Sequence, residues 1–532
     1  MESNVKVSQA AGAVGSMTFL SRIFGFLRDT AIAMMFGSTA AADAFFVAFR
    51  IPNLQRGLLG EGAANAAFIP VFSEYLNAKS EREAWDLASN LFNVFSIILF
   101  VFALAIAIFA PAVIAVFAPG FLDEPEKFDL TVSLTRWMAP YLVLIGLTAL
   151  CMGILNTFKV FALPAAAPVL MNLSMILAAL LISPRLETPI IGLAVGVLLG
   201  GLLQLLTQLP AILRKGFTFS ASLNWKHPGI AKIAKLLGPT TLGLAAYEIN
   251  LMVDTILASL LPGGAISYLY YANRLVQLPL GVFGVAIGVA ILPILSEQAA
   301  RKELPELIKT LGFGIRLILF ITAPATVGLI VLRFPIVNTL WERGEFLRSA
   351  TEGTAFALLC YSVGLCAFAG TKVVVAAFYS LQDTKTPAKI GIYSMILNIA
   401  LNLILMGPLK HGGIALATSI AAIFNSLALV VILKMRLGLM GGRKILRSAF
   451  QIAVAAAGMG LVAYGFDRAF FNPLAPLISK LLTLTVCIVS GLAAFYLISL
   501  LLKNEELIFL KDLLRRKFGK PGAEAPANRG SA

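Results

Sequence analysis

Five arginines inside long apolar stretches are the residues of this sequence best suited to chemistry. They are Arg22, Arg28, Arg50, Arg56 and Arg274. A charged side chain within hydrocarbon is costly unless it faces water or a partner. Because the planar guanidinium group binds phosphate oxygens in pairs, the set predicts a wet cavity for a ligand that carries phosphate.

The spacing of these arginines favours a large cavity. Arg22 and Arg28 are six residues apart, and so are Arg50 and Arg56. Six residues turn about 120° around an α-helix, so each pair flanks a broad face rather than a narrow ion path. The alternative is that the arginines pair with acids or reach the membrane interface. The candidate acids are Asp29, Asp43, Glu61 and Glu74.

A second polar group could bind a cation. Asp254 lies in one apolar stretch and Thr418 in another. Asn398 and Asn402, four residues apart, share one face of a helix. Carboxylate, amide and hydroxyl oxygens suit a hard monovalent cation. Ordinary hydrogen bonds between helices are the alternative, because Asn and Thr form them readily.

The elements that carry these residues must be membrane-spanning helices. The chain has 532 residues, 59% hydrophobic and 13% charged, against ~25% charged residues in soluble domains. A soluble protein of this size cannot bury so much apolar surface, and the continuous apolar runs exclude the alternating strands of a porin. We expect an all-α polytopic membrane protein with about fourteen transmembrane helices.

The second apolar stretch is interrupted. It contains Pro52, Gly57, Gly60 and Gly62, and it continues to Pro70. Proline and glycine both weaken the interior of a helix. This stretch therefore predicts either a bent helix or a helix followed by a short interfacial segment.

Lysine and arginine predict the orientation of the chain. With the N-terminus inside, most loop cations fall in the predicted cytoplasmic loops, above all in 213–235 and 434–447. This bias places both termini in the cytoplasm. The net charge of +15 then indicates contact with anionic lipid, not nucleic acid. Arg136, Arg316 and Lys480 lie near predicted helix ends and are expected to be interface anchors.

Three short matches predict an internal duplication. Pro70 and Pro293 are each followed by two apolar residues and then Ser-Glu, and the interval between them equals the interval from Pro164 to Pro387. We call this the repeat interval. The Asp-Thr pairs that begin at Asp29 and Asp254 are separated by nearly the same interval. Six predicted helices separate the matches, so the halves are parallel repeats of a transporter type.

The duplication sets the predicted domain organisation. We expect an N-terminal lobe at 1–213, a basic cytoplasmic linker at 214–233 and a C-terminal lobe at 234–434. Two extra helices at 435–502 and a cytoplasmic tail at 503–532 would follow the duplicated part.

Several motifs resemble those of the MurJ (MviN-type) lipid II flippases, which belong to the multidrug, oligosaccharidyl-lipid and polysaccharide exporter superfamily. The matching segments are SRIFGFLRD at 21–29, DAFFVAFRIPNL at 43–54, EGA at 61–63, YYANRL at 270–275 and FYSLQDTKTP at 378–387. The resemblance extends over about residues 7 to 500. It implies a transporter of the bacterial inner membrane, not an enzyme, that moves lipid II to the outer leaflet for cell-wall synthesis.

The resemblance also implies functional residues. It implies that Arg22, Arg28, Arg56 and Arg274 line a central cavity, and it implies a role for Asp43. The substrate-binding candidates are Arg22, Arg28, Asp43, Arg50, Asn53, Arg56 and Arg274. Relatives with a sodium site use positions matching Asp254, Asn398, Asn402 and Thr418, with the main-chain carbonyl of Ile414. Sodium or another cation is therefore the candidate coupling ion, and no other cofactor is expected.

Some positions depart from the family pattern. Asn273 and Gln277 are neutral where some relatives carry acids, which makes this cavity more positive. Asn402 stands where some members have an aspartate, and one lost carboxylate lowers the affinity expected for a cation.

The expected mechanism is alternating access. The arginines bind the pyrophosphate of lipid II, and the prenyl tail follows a groove of the two extra helices. Lipid II, membrane lipids and peptidoglycan-synthesis machinery are the expected partners. A flippase for another polyprenyl-linked glycan is the main alternative. An exporter of cationic drugs would not be expected to carry five arginines in its cavity. A membrane enzyme is also disfavoured, because the sequence contains no Asp-x-Asp pair, no HExxH motif and no Gly-rich phosphate loop.

Overall fold

Helices account for the architecture in the computed structural model. It describes residues 2–57, 64–438 and 441–518, and no β-strand occurs among them. The first half contains α1 (Glu2–Phe36), α2 (Ala40–Gln55), α3 (Ala64–Ala78), α4 (Glu81–Ile108), α5 (Ala110–Phe117), α6 (Pro125–Thr157), α7 (Ala162–Leu177) and α8 (Ile191–Leu213).

The second half has the same order of helices, followed by a C-terminal extension. It contains α9 (Pro228–Ser259), α10 (Ala265–Pro279), α11 (Val285–Ala300), α12 (Leu304–Val331), α13 (Arg333–Trp341), α14 (Arg348–Ser362), α15 (Leu365–Ser380) and α16 (Lys385–Leu437). The extension contains α17 (Gly442–Phe470), α18 (Leu477–Leu501) and α19 (Glu505–Phe518).

The helix bounds recur at the repeat interval. Moving α4 by this interval places its bounds on those of α12, and both helices have 28 residues. The same shift takes α6 to the Arg348–Ser380 stretch formed by α14 and α15. Even the left-handed residues correspond, with Lys159 at φ 61° and Gln382 at φ 60°. The duplication predicted from three short matches is therefore present throughout the helix order.

The all-helical, polytopic architecture is confirmed. Among the described residues, ten helical stretches are long and apolar enough to cross a membrane. One of them, α16, has 53 residues and is broken at Lys410, whose φ of 50° and ψ of −132° are not helical. It covers two predicted spans. The count of fourteen spans stays a prediction.

The interrupted second stretch consists of two helices. α2 ends at Gln55, a π-helical turn begins at Arg56–Gly57, and α3 begins at Ala64. Glu61 and Gly62 lie outside the described residues. Because residues 58–63 also lie outside the described residues, the choice between a bent helix and a helix followed by a short interfacial segment stays a prediction.

Close helix packing depends on small residues, because lipid removes the hydrophobic drive for helices to associate. On α8, a Cβ at Gly196 would lie 2.7 Å from the Cβ of Ala178, and one at Gly200 would lie 2.5 Å from Met171 Sδ. α8 therefore meets α7 and the turn after it through glycines that no larger residue could replace without a shift.

The chain forms two compact units. The first comprises the described residues of Met1–Arg274, Leu340–Cys360 and Gly391–Ala421. The second comprises those of Leu275–Thr339, Tyr361–Ile390 and Ala422–Ala532. These bounds differ from the lobe boundaries expected from the sequence, which stay a prediction.

In the first unit, side chains of α4 form hydrogen bonds with the backbone of the basic linker. Asn90 exchanges two hydrogen bonds with the backbone of Asn224, at 2.7 and 2.9 Å. Ser89 does the same with Ser220, at 2.7 and 2.9 Å. α9 begins at Pro228, within the expected linker, where His227 Nδ1 accepts the N–H of Gly229.

In the second unit, α19 packs on α12. Arg316 Nε lies 2.9 Å from Glu506 Oε1, and both side chains are buried. The rings of Phe313 and Phe509 are 4.8 Å apart. The expectation that Arg316 is an interface anchor is therefore wrong: it is a buried ion-pair partner, and its acid lies on the last described helix of the chain.

The second residue after α11 offers a test of the backbone. Lys302 has a φ of 59°, and this left-handed conformation costs a side-chain residue about 1–2 kcal/mol where glycine is favoured. We expect Lys302→Gly to raise the thermal unfolding midpoint. Lys309→Gly, an exposed change inside α12, should lower it by removing about 1 kcal/mol. A midpoint that falls equally in both variants would contradict this.

Candidate functional site

Two of the candidate arginines share one buried carboxylate. Arg28 Nη2 lies 2.6 Å from Asp29 Oδ1, and Arg274 Nε lies 3.2 Å from Asp29 Oδ2. The hydroxyl of Tyr270 donates to Asp29 Oδ1 at 2.9 Å. α1 thus supplies one arginine and the acid, and α10 supplies the other arginine and the tyrosine. The cluster of Arg28, Asp29 and Arg274 carries a net positive charge.

The two arginines differ in freedom. The Arg28 side chain is 9% exposed and also donates to Asn172 Oδ1 on α7 at 3.0 Å. The Arg274 side chain is 44% exposed, and its guanidinium lies 4.9 Å from the Tyr270 ring centroid. Arg274 can therefore exchange Asp29 for the oxygens of a ligand, whereas Arg28 is held in place. Pairing with an acid, the alternative considered for the arginines, applies to both.

The other candidates on α1 and α2 have different surroundings. Arg22 is exposed on α1. Arg50 donates to the backbone carbonyl of Leu251 on α9 at 3.1 Å. Asn53 is half-buried on α2, and Arg56 is half-buried at the π-helical turn that follows it. The geometry brings Arg28 and Arg274 together, and the roles of the other three arginines stay predictions.

Asp43 holds the start of α10. Its carboxylate is 1% exposed and accepts hydrogen bonds from Gly264 N at 2.7 Å, Ser267 N at 3.0 Å and Ser267 Oγ at 2.6 Å. Lys127 Nζ lies 3.5 Å away. A carboxylate at a helix N-terminus satisfies free N–H groups and opposes the helix dipole. Asp43 is thus committed to protein contacts here, and its part in substrate binding stays a prediction.

The predicted cation ligands meet at one place. Asn402 Nδ2 donates to Asp254 Oδ1 at 2.7 Å. When the Asn398 amide is oriented to satisfy its neighbours, its nitrogen lies 3.2 Å from Asp254 Oδ1 and its oxygen accepts from Thr418 Oγ1 at 3.2 Å. The Thr418 hydroxyl also lies 2.9 Å from the Ile414 carbonyl. All five predicted ligands therefore belong to one cluster.

The chemistry of this cluster fits a monovalent cation. Asn402 is 0% exposed, and its Oδ1 has no hydrogen-bond partner among the described residues. A buried unsatisfied oxygen is costly. Rotation of the two amides would turn their oxygens toward a cation beside Asp254. No group of three or more His, Cys, Asp and Glu that could hold a metal occurs in the described part of the chain.

The motif at 378–387 has a structural role. The hydroxyl and backbone N–H of Thr386 donate to Asp383 at 2.6 and 2.9 Å, and Arg436 forms an ion pair with it. The Thr386 hydrogen bonds, with help from Arg436, lower the pKa of the Asp383 carboxyl to about 2. This motif fixes the first turn of α16 to its end.

Three partners were not anticipated. Lys127 follows a run of acidic loop residues, so its sequence context resembles a solvated surface. Asn172 lies in an apolar stretch without a second polar residue at helical spacing. Tyr270 stands four residues before Arg274, and this i, i+4 spacing on one helix was the available signal.

Nearly the whole chain is similar in sequence to proteins of one known family. A family model described as "Lipid II flippase MurJ" matches residues 32–499. The chain belongs to the MurJ family. The probable lipid II flippase MurJ of Vibrio cholerae is 39% identical over 512 residues, which cover 94% of this chain and 96% of the relative. The lipid II flippase MurJ of Burkholderia cenocepacia is 36% identical over 427 residues, which cover 80% of this chain and 83% of the relative.

Solved structures give the same result. A lipid II flippase MurJ in an inward closed conformation matches with a TM-score of 0.76 and 28% identity, and covers 94% of this chain and 99% of that one. An inward-facing MATE transporter of the MOP superfamily matches with a TM-score of 0.66 and 15% identity, and the match covers 81% of this chain and 99% of the transporter. The second match shows the fold alone. MurJ membership and the ten apolar helices make this chain a multi-pass membrane protein.

In this MurJ-family chain, the Asp43–Lys127 pair can be tested by a double-mutant cycle. Lys127→Met leaves a buried carboxylate without its cation, and we expect a loss of about 3–5 kcal/mol in the free energy of unfolding. Adding Asp43→Asn should recover part of it. Lys79→Met, which breaks the exposed pair with Glu83, should cost less than about 1 kcal/mol. Strictly additive shifts in the unfolding midpoint would show that the pair is not coupled.

Proposed function

We propose that this protein moves lipid II, the undecaprenyl-pyrophosphate disaccharide-pentapeptide, from the cytoplasmic to the outer leaflet of the bacterial inner membrane for cell-wall synthesis. Such a headgroup cannot cross hydrocarbon unaided. Membership of the MurJ family supports the substrate. The observation that carries the mechanism is the Arg28–Asp29–Arg274 cluster, because it presents an exchangeable guanidinium beside a fixed one.

Asp29 holds the place of the pyrophosphate. Its two oxygens each face one arginine, as two phosphate oxygens would. Arg274, the more exposed arginine, releases Asp29 and engages the pyrophosphate first. Arg28, held by Asn172, gives the bound group a fixed position. Return of Arg274 to Asp29 then favours release of the substrate on the other side.

The membrane supplies direction and the path of the tail. An inside-negative potential favours outward movement of an anion by about 2.3 kcal/mol per charge per 100 mV. α17 and α18 carry many exposed apolar side chains, Leu461 and Ile478 among them, and form the groove for the prenyl chain. The basic loops favour a cytoplasmic position for both termini, and the peptidoglycan-synthesis machinery would consume the product outside.

Sodium is the proposed coupling ion. Asp254, Asn398, Asn402, Thr418 and the Ile414 carbonyl would hold it. A bound ion would neutralise the charge of the Asp254 carboxylate. The amides of Asn398 and Asn402 would then present oxygen instead of donating to Asp254, which would link cation binding to the contact between α9 and α16.

Substitution of the arginines tests the substrate site. Loss of a charge-assisted hydrogen-bonding group costs about 1.5–3 kcal/mol, so Arg28→Ala and Arg274→Ala should each lower lipid II transport roughly ten- to hundred-fold. A strain depleted of its own flippase would carry each variant, and a periplasmic lipid II-cleaving probe would report substrate on the outer leaflet. Arg136→Ala, an exposed arginine on α6, is the matched control.

Full transport by Arg28→Ala and Arg274→Ala would overturn the proposed pyrophosphate site. Absence of cleavage with the wild type, at normal expression, would instead indicate another polyprenyl-linked glycan as substrate.

Sodium dependence can be measured on the purified protein. We expect sodium chloride to raise the thermal unfolding midpoint, because binding to the folded state alone stabilises it, and choline chloride at equal ionic strength to have no such effect. Asp254→Asn should abolish the difference, and Asp467→Asn on α17 should keep it. Equal midpoints in both salts for the wild type would exclude sodium.

A further inference from the structure

Two helices of the duplicated pattern break in the same way at the same place. α2 ends at Gln55 and a π-helical turn begins at Arg56–Gly57. α10 ends at Pro279 and a π-helical turn runs over Leu280–Gly284. When the first half is moved by the repeat interval, Gly57 corresponds to Leu280. The segments that follow, α3 and α11, correspond within two residues as well.

This correspondence is specific to these helices. A third π-helical turn, Ala178–Ile182, follows α7. The same shift takes it into α16, where residues 401–405 are α-helical. The π-helical turn after α7 therefore has no counterpart in the second half. π-Helical turns inside helices are rare and occur frequently at functional sites.

Proline and glycine explain each break. Pro52 and Pro279 have no N–H to donate to the carbonyl four residues earlier. Gly57 in the first turn, and Gly281 and Gly284 in the second, restrain the backbone least. Each sequence thus interrupts the regular hydrogen-bond ladder shortly before or at its turn.

The glycines also fit closely against neighbouring side chains. A Cβ at Gly57 would contact the carboxylate end of the Glu248 side chain on α9. A Cβ at Gly284 would lie 3.0 Å from Leu280 Cδ1 and 3.4 Å from Ala369 Cβ on α15. A methyl group at either position would have to displace these side chains, and it would also restrict the backbone of the turn.

The segments on the two sides of the turns have different partners. Before the turns, α2 and α10 are joined: Phe46 stacks on Tyr270 with ring centroids 3.9 Å apart, and Asp43 binds Ser267. After the turns, α3 packs on α4, α6 and α9, whereas α11 packs on α12 and α15. The joined segments carry the candidate arginines Arg50 and Arg274.

We propose that the two π-helical turns are a matched pair of hinges for transport. During transport, α3 would change direction relative to α2, and α11 relative to α10, while α2 and α10 remain joined. The hinge glycines Gly57 and Gly284 are positioning residues that let Arg50 on α2 and Arg274 on α10 keep their positions as the segments after the turns move. This inference rests on the proposed lipid II transport.

Alanine substitution at the hinge glycines separates movement from binding. Gly57→Ala and Gly284→Ala should each slow lipid II transport by about tenfold, measured with the purified protein in vesicles. The dissociation constant for lipid II should change less than twofold, and the thermal unfolding midpoint should not fall. Gly391→Ala, a helical glycine of α16 with open space around its Cβ position, is the matched control and should transport at the wild-type rate.

Hydrogen exchange gives a second measurement, whose result would not depend on lipid II if Gly284 served packing alone. We expect exchange of the backbone amides of residues 280–288 to increase when lipid II is added to the wild type, and to stay constant in Gly284→Ala. If Gly284→Ala does not fold, Gly281→Ala replaces it.

The outcomes distinguish the hinge from the function. Wild-type transport in both alanine variants would overturn the hinges. Loss of binding and of thermal stability together with transport would also overturn them, since the glycines would then serve packing alone. A wild-type protein that moves no lipid II would refute the proposed function instead.

Discussion

The shared carboxylate of Asp29 is the interaction on which the rest of this structure depends. A guanidinium group within a membrane is tolerated only with a partner or water, and Asp29 partners both Arg28 and Arg274. It therefore lets α1 and α10 place two cations side by side. A carboxylate and a phosphate present similar oxygens, so in the proposed mechanism the substrate replaces the contact of Asp29 with the arginines.

The duplication provides the frame around this contact. Every helix of the first half has a counterpart one repeat interval later in the chain. The halves have diverged where chemistry differs. α1 carries Arg28 and Asp29, whereas its counterpart α9 carries Asp254, which lies among amides and a hydroxyl. One repeated helix thus carries an arginine beside a carboxylate in the first half and a carboxylate that accepts an amide hydrogen bond in the second.

The sequence predicted the fold class, the duplication and the residues of both polar clusters, because these depend on composition, on helical spacing and on motifs. It could not predict partners that meet only in the folded chain. Lys127 on α6 reaches Asp43 on α2, and Arg316 meets Glu506 on a helix near the end of the chain. Each lies in a local context typical of a solvated or interfacial charge. The pairing of Asp29 with both arginines was one open alternative, and only the geometry joined it to the candidate site.

The measurement that tests the central claim most directly is the affinity of the purified protein for lipid II after Asp29→Asn. If Asp29 holds the place of the pyrophosphate, its neutral variant removes a competitor and leaves the site more positive. The dissociation constant should then fall while transport slows, because release no longer gains from the return of Arg274 to the carboxylate. Binding as weak as that of Arg274→Ala would contradict the account, since Asp29 would then be needed to hold the arginines for substrate.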